Sequence, residues 1–186
     1  MPNYCSNNVT FTGKKEDIET LYQRFQKYNE CDYFTHFCEM VLGIPKKDEV
    51  TNDNFFTYGY SYGTKWWDFE VRLDRDELIV SGDSAWSPPL PFIAKITEVF
   101  DVEAHGDYYE TGMDFAGEYH AADGELSDNE MTCFEFDLMQ DREYAIQKLI
   151  EDINDEMYDL EYVKDEFKKH FTEDEWNQIL TETNNK

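Results

Sequence analysis

Two groups of side chains carry types and spacings that could do chemistry. The first comprises Lys65, Trp86, Tyr109, Glu110 and Asp114, followed closely by Glu118 and His120. A carboxylate beside a histidine can move protons, and two carboxylates can hold a divalent ion. Packing and turns account for the same region: Gly63, Gly112 and Gly117 suit turns or bulges, Trp66 and Trp86 suit a core, and Lys65 neutralises neighbouring acid. The second group is Asp152, Asp155, Glu156, Asp159 and Glu166, interleaved with Tyr158 and Tyr162. On a helix, residues three or four apart lie about 5–6 Å from one another at Cβ, a scale comparable to successive phosphates along a nucleic-acid strand. A row of carboxylates at that spacing can occupy a Lys- and Arg-lined groove that tracks a phosphate backbone. Exposed carboxylates alone give little affinity, so such an interface needs aromatic anchors, for which Tyr158, Tyr162 and Trp176 are candidates. The plain alternative is a solvated acidic helix.

Other chemistry finds no motif. There is no nucleophile elbow, phosphate-binding glycine loop or HExxH, and the run from Asp123 to Glu130 lacks the alternating ligands of a calcium loop. Cys31-x4-His36-x-Cys38 has no second ligand pair, and His105, His120 and His170 stand alone. No metal, cofactor or catalytic residue is expected. The four cysteines are scattered, with no CxxC, as in a reducing compartment. Met1-Pro2-Asn3 opens into polar sequence, so the expectation is a chain with no signal peptide, and no apolar run is long enough to span a membrane.

Charge narrows the partners. Against 42 Asp and Glu stand 16 Lys and Arg, a net charge of −26. A nucleic acid or an anionic membrane would be repelled, so neither is an expected direct partner. Aromatic residues make up 17% of the 186, too many for a disordered acidic tail. The charge is uneven: residues 1–95 carry −5, residues 96–141 carry 14 acids with no Lys or Arg, and residues 142–186 carry −7. Folded surfaces normally intersperse both signs. A basic partner or a merely solubilising surface would each account for this excess.

Elements that could position these residues follow from periodicity. Asn7–Thr12 alternates as a strand, and Glu16–Tyr28 repeats apolar residues at helical spacing. Trp66–Leu73 and Glu77–Ser84 form a hairpin about Asp74-Arg75-Asp76. Ser87 suits a helix N-cap with Pro88 in the first turn of a helix over Leu90–Phe100, and Val102–Glu110 is a fourth strand. Strand, helix, strand, strand, helix, strand predicts an α+β, ferredoxin-like (split βαβ) antiparallel sheet with two helices on one face. Residues 30–62 read as a mixed insertion. Asp114–Ala121, the Asp123-Gly124 turn and the alternating Thr132–Phe136 predict a β-ribbon over 111–137 that extends the sheet. Residues 138–186 read as an acidic helical extension. In it Ile146 to Phe171 keep one stripe for about seven turns, and Thr172 with Glu175 forms a capping box for a last helix. The stripe suits packing on the domain; as a homodimer seam it is poorly decorated at Gln147, Asp155 and Lys164.

Four motifs in order match a known pattern: Met1-Pro2-Asn3-Tyr4-Cys5-Ser6-Asn7, Tyr62-Gly63-Thr64-Lys65-Trp66, Ala85-Trp86-Ser87-Pro88-Pro89, and Tyr108-Tyr109-Glu110-Thr111-Gly112-Met113-Asp114-Phe115-Ala116-Gly117. Over residues 1–125 the chain resembles the YubB-like family of phage and plasmid proteins, with Tyr4 and Tyr62 where that family usually has Trp. The resemblance implies a ferredoxin-like domain expressed inside a bacterial host. It supplies no reaction, and "ferredoxin-like" names a chain path without an iron–sulfur cluster.

The expected function is a non-enzymatic acidic interaction protein of a phage or mobile element, acting in the host cytoplasm. By mimicking nucleic-acid charge it would inhibit a basic, nucleic-acid-binding host defence protein such as a restriction or CRISPR effector. Its partner-binding residues would be the second group above. The alternative is a small-molecule-binding or catalytic domain using Lys65, Trp86, Tyr109, Glu110 and Asp114. A third, metal-dependent reading requires a stability gain with a divalent ion.

Overall fold

Strand β1 (Tyr4–Gly13) buries Cys5, Asn7, Val9 and Phe11 and exposes Tyr4, Ser6 and Asn8. Side chains alternate across a strand, so the buried set faces helices and the other set lies on an open face. The computed structural model describes residues 3–31, 33–45 and 61–183. After β1 come α1 (Lys15–Phe25), α2 (Phe34–Leu42), β2 (Trp67–Asp74), β3 (Glu77–Ala85), α3 (Leu90–Val99), β4 (Val102–Glu110), β5 (Phe115–Ala122) and β6 (Glu125–Met131). The sheet order is β2-β3-β1-β4-β5-β6, every neighbour antiparallel. β1 to β4 with α1 and α3 form the expected ferredoxin-like core, and β5–β6 add the ribbon at the β4 edge. α2 lies in the insertion; its aromatic stretch up to Tyr60 falls outside the described residues. β6 is polar and exposed along nearly its whole length, which suits a sheet edge that must not recruit another strand.

The core is aromatic. Phe25 on α1 is buried against Phe11, Phe37, Trp67, Phe69 and Phe92, with ring centroids 5.3–6.4 Å away. Such edge and tilted contacts add about 0.5–1.5 kcal/mol each beyond area burial. Gly117 is a strand residue, where a turn or bulge was expected. It faces Tyr108 on β4, and a Cβ would come within 2.5 Å of the tyrosine oxygen. Tyr108 thereby lies over the neighbouring strand and donates to Asp128 Oδ1 on β6 at 2.9 Å.

Residues 134–186 form a second unit, apart from residues 1–133. It contains α4 (Cys133–Gln140, whose first residue belongs to the first unit), α5 (Arg142–Asn154), α6 (Leu160–Glu166) and α7 (Glu173–Thr183). Leu138, Ile146, Leu149, Ile150, Val163, Trp176 and Ile179 make its core. The alternating Thr132–Phe136 is therefore helical from Cys133 on, and the ribbon ends at Met131. Five alternating residues cannot distinguish strand from helix, and the i, i+4 pair Phe134 and Leu138 packs with this second core.

Three further expectations change. The seven-turn helix is broken after Asn154: Asp155 caps α5, Glu156 has φ +59°, and Asp159 accepts the Glu161 N–H at 2.7 Å as N-cap of α6. Short acidic side chains compete with helical hydrogen bonds, and here they terminate and restart the helix. Ser87 does not cap α3. Its hydroxyl donates to the Gly63 carbonyl at 2.5 Å, Pro89 occupies the N-cap position, and Pro91, in place of Pro88, sits in the first turn. Trp176 is 4% exposed and is a core residue, so it cannot anchor a partner.

The capping box forms as its spacing predicts. Glu175 Oε2 accepts the Thr172 N–H at 2.7 Å, and Thr172 Oγ1 accepts the Glu175 N–H at 3.3 Å. Arg142 also forks onto Glu175 at 2.7 and 2.9 Å.

Replacing Phe25 by Ala is expected to destabilise the first unit by about 3–5 kcal/mol in urea denaturation. The bonds from Arg142 and then Thr172 hold the Glu175 carboxyl at about 2 against an ordinary 4.5. A depressed carboxyl contributes stability above its unfolded value that is lost as pH falls through the folded one. The melting difference between wild type and Glu175→Gln should therefore be full at neutral pH, shrink below pH 4.5 and vanish near 2. Discounted for solvent screening, it should not exceed about 1 kcal/mol.

Candidate functional site

The four sequence motifs converge on the end of the sheet where β1 begins. The Asn3 carbonyl accepts the Trp86 N–H at 3.0 Å. A Cβ on Gly112 would fall 2.4 Å from Asn3 Nδ2, so the β4–β5 turn lies directly against Asn3. Thr64 Oγ1 donates to the Ala85 carbonyl at 2.8 Å, and Gly63, at φ +89°, presses on Pro88 and Pro91. The Tyr4 and Trp66 rings meet edge to face at 5.6 Å. Hydroxyl and backbone bonds between distant stretches thus build one corner of the molecule.

Within that corner the first group divides. Glu110 is 1% exposed, and its carboxylate accepts the N–H groups of Gly112 (2.8 Å) and Met113 (2.7 Å). It closes the β4–β5 turn and is not presented to a ligand. Asp114, at φ +56°, accepts the Cys133 N–H at 3.1 Å and so ties that turn to the start of α4. Tyr109 is half-buried on the open face, opposite Ser6 and Ala116, and Lys65 is exposed beside Trp66. Trp86 is half-exposed, at 51%, with φ +70°. Packing therefore does not explain it, and for a bulky residue this backbone conformation is strained. Burial pushes the Cys5 thiol up to about 12 and Cys133 to about 11, so neither is poised as a nucleophile.

The open face of the sheet carries a charge pattern absent from the sequence expectations. Asp68 lies directly opposite Asp83, Asp74 opposite Glu77, and Asp107 opposite Glu118. Glu70, Glu103 and Glu125 share the face, and Arg72 is its one Lys or Arg among the described strand residues. Like charges directly opposed across strands are destabilising. His105 and His120 also face each other there, with His120 Nε2 3.4 Å from Glu103 Oε2. A signal was present: in Asp68-Phe69-Glu70-Val71, the acids alternate with apolar residues, so they share the face opposite the buried one.

The second group does not form one helical row. Asp152 lies on α5 and Glu166 on α6, while Asp155, Glu156 and Asp159 belong to the break between them. Tyr158 and Tyr162 are 39% and 50% exposed, stacked at 6.0 Å and resting on Phe167.

Among the described residues there is no group of three or more His, Cys, Asp or Glu that could hold a metal ion, and no helix long and apolar enough to cross a membrane. Glu110→Gln should destabilise the first unit by about 1–3 kcal/mol in urea, because the new amide cannot accept both turn N–H groups. Exposed-face chemistry should be unchanged by it.

The sequence model described as the ferredoxin-like domain in Api92-like protein matches residues 61–161, from the loop before β2 to the start of α6. A comparison with curated proteins finds no match. Among solved structures, the crystal structure of Api92 from Yersinia pseudotuberculosis is similar at 11% identity and a TM-score of 0.43, over 72% of this chain and 99% of that one. The family match takes in more than half of the sequence, and the chain belongs to the family of ferredoxin-like domains of Api92-like proteins.

Proposed function

We propose that this is a non-enzymatic acidic interaction protein that occupies a cationic, nucleic-acid-binding surface of a host defence protein and blocks it. The observation that carries the reading is the open sheet face, where acids oppose acids on adjacent strands. That arrangement costs stability in isolation and is relieved when Lys or Arg side chains approach. A twisted sheet also holds its carboxylates on a fixed grid, as a mimic of a phosphate array requires. Asp152, Asp155, Glu156, Asp159 and Glu166, with Tyr158 and Tyr162, supply a second acidic surface on the C-terminal unit. The resemblance to YubB-like proteins supports a phage or plasmid origin and action in the cytoplasm of a bacterial host. Direct binding of nucleic acid is disfavoured by the net charge of −26.

Affinity capture from host lysate at low and high salt tests the proposal. A nucleic-acid-binding protein should be retained at low salt, released at high salt and displaced by its own DNA or RNA. Lys substitutions at Asp68, Asp83, Asp107 and Glu118 together should weaken its capture by about tenfold or more, as should reversal at Asp152, Asp155 and Asp159 if the tail contributes. Recovery of no nucleic-acid-binding protein at either salt, or a partner that its nucleic acid does not displace, would sink it.

A further inference from the structure

We infer that the corner formed by Tyr4, Trp66 and Trp86, with Asp68 and Asp83 beside it, seats an arginine side chain of a basic partner protein. This rests on the proposed cationic partner and names the group it inserts. Single exposed aromatics are ordinary on a protein surface. Here Tyr4 is 59% and Trp86 51% exposed, and their backbones are adjacent, since Trp86 follows the cross-strand partner of Tyr4. Trp66 is half-buried against Tyr4 at 5.6 Å. Neither Tyr4 nor Trp86 gains much from burial, yet Trp86 is held at φ +70° by the bond from its N–H to Asn3. Backbone strain at an exposed residue is a mark of function when surrounding structure over-determines it.

The carboxylates identify the occupant. Asp68 lies two residues after Trp66 on the same face of β2, and Asp83 lies directly opposite Asp68. The next residue across from Asp83 is Ser6, two residues after Tyr4. By register, two opposed acids therefore lie on the face that carries Tyr4 and Trp66, two residues along β2 and β3 from Trp66 and Ala85. A guanidinium is planar, stacks on aromatic faces and forks to carboxylates, which matches both halves of the corner. An ammonium would satisfy the acids but stack less well, and a phosphate-bearing ligand would be repelled by both of them.

Anisotropy titration of fluorescein-labelled nona-arginine and nona-lysine into the full chain, at constant low salt, tests this directly. Nona-arginine should bind at least about threefold more tightly than nona-lysine. Trp86→Gly and Tyr4→Ala should each weaken nona-arginine binding by about threefold to tenfold, and Asp68→Asn with Asp83→Asn by about tenfold. Glu125→Gln, on the far edge strand of the same face, should change it by less than twofold. Trp86→Gly also separates a functional from a structural role, because glycine adopts this φ without strain. Its melting temperature should stay level or rise while binding falls. Unchanged binding in Trp86→Gly and Tyr4→Ala, equal affinity for both peptides, or a loss no greater than that of Glu125→Gln would overturn the assignment. Lysate capture distinguishes the two proposals. A Tyr4→Ala/Trp86→Gly protein that still captures a nucleic-acid-binding partner at full strength would overturn this anchor and keep charge mimicry. Arginine-peptide binding through the corner with no nucleic-acid-binding partner in lysate would do the reverse.

Discussion

β1 lies between β3 and β4, and its period of two divides the N-terminal unit into two chemically opposite faces. On one side Val9 and Phe11 join Phe25, Trp67 and Phe92 in a packed aromatic core. On the other, Ser6, Asn8, Thr10 and Thr12 form a polar spine flanked by carboxylates of β2, β3, β4 and β5. Register is strongly specified under such conditions, because a slip of β1 by one residue would place Val9 and Phe11 on the polar face and Asn8 and Thr10 in the core. Every surface feature of the unit inherits its position from that register.

The corner at the start of β1 shows how the same strand collects distant motifs. Asn3 contacts both Trp86 and the β4–β5 turn, while Tyr4 contacts Trp66 and pairs with Ala85. Three buried polar side chains there are satisfied locally: Asn7 donates to the Cys5 carbonyl and to Ser84 Oγ, Ser84 donates to the Ser87 carbonyl, and Glu110 serves its own turn. These bonds rigidify the backbone beneath exposed rings. Rigid support beneath adaptable contact residues is what a recognition surface requires.

The acidic excess has different structural contexts in the two units. On the sheet it is arrayed by strand spacing, with like charges opposed. In the C-terminal unit, part of it does local work: Asp141 caps α5, Asp159 caps α6, and Glu175 completes a capping box while pairing Arg142. Acids at helix N-termini are favoured by the helix dipole, so those residues need no partner to explain them. The opposed acids on the sheet cap no helix; Asp107 accepts a bond from Asn8 Nδ2 at 3.0 Å and still lies opposite Glu118 on the next strand.

Alternation and helical spacing in the sequence determined the split βαβ order, both helices of that core and the capping box at Thr172, because these patterns reflect which face each element must bury. The overall charge was equally legible. Tertiary structure alone decided the rest. Whether Cys133–Gln140 is helix depended on a core formed by distant residues. Whether Ser87 caps a helix or bonds Gly63 depended on a loop more than twenty positions away in the chain. Asp68 and Asp83 are fifteen positions apart, and Tyr4 and Trp86 more than eighty. Strand pairing is non-local, so a one-dimensional pattern records that these side chains point outward but not which of them become neighbours.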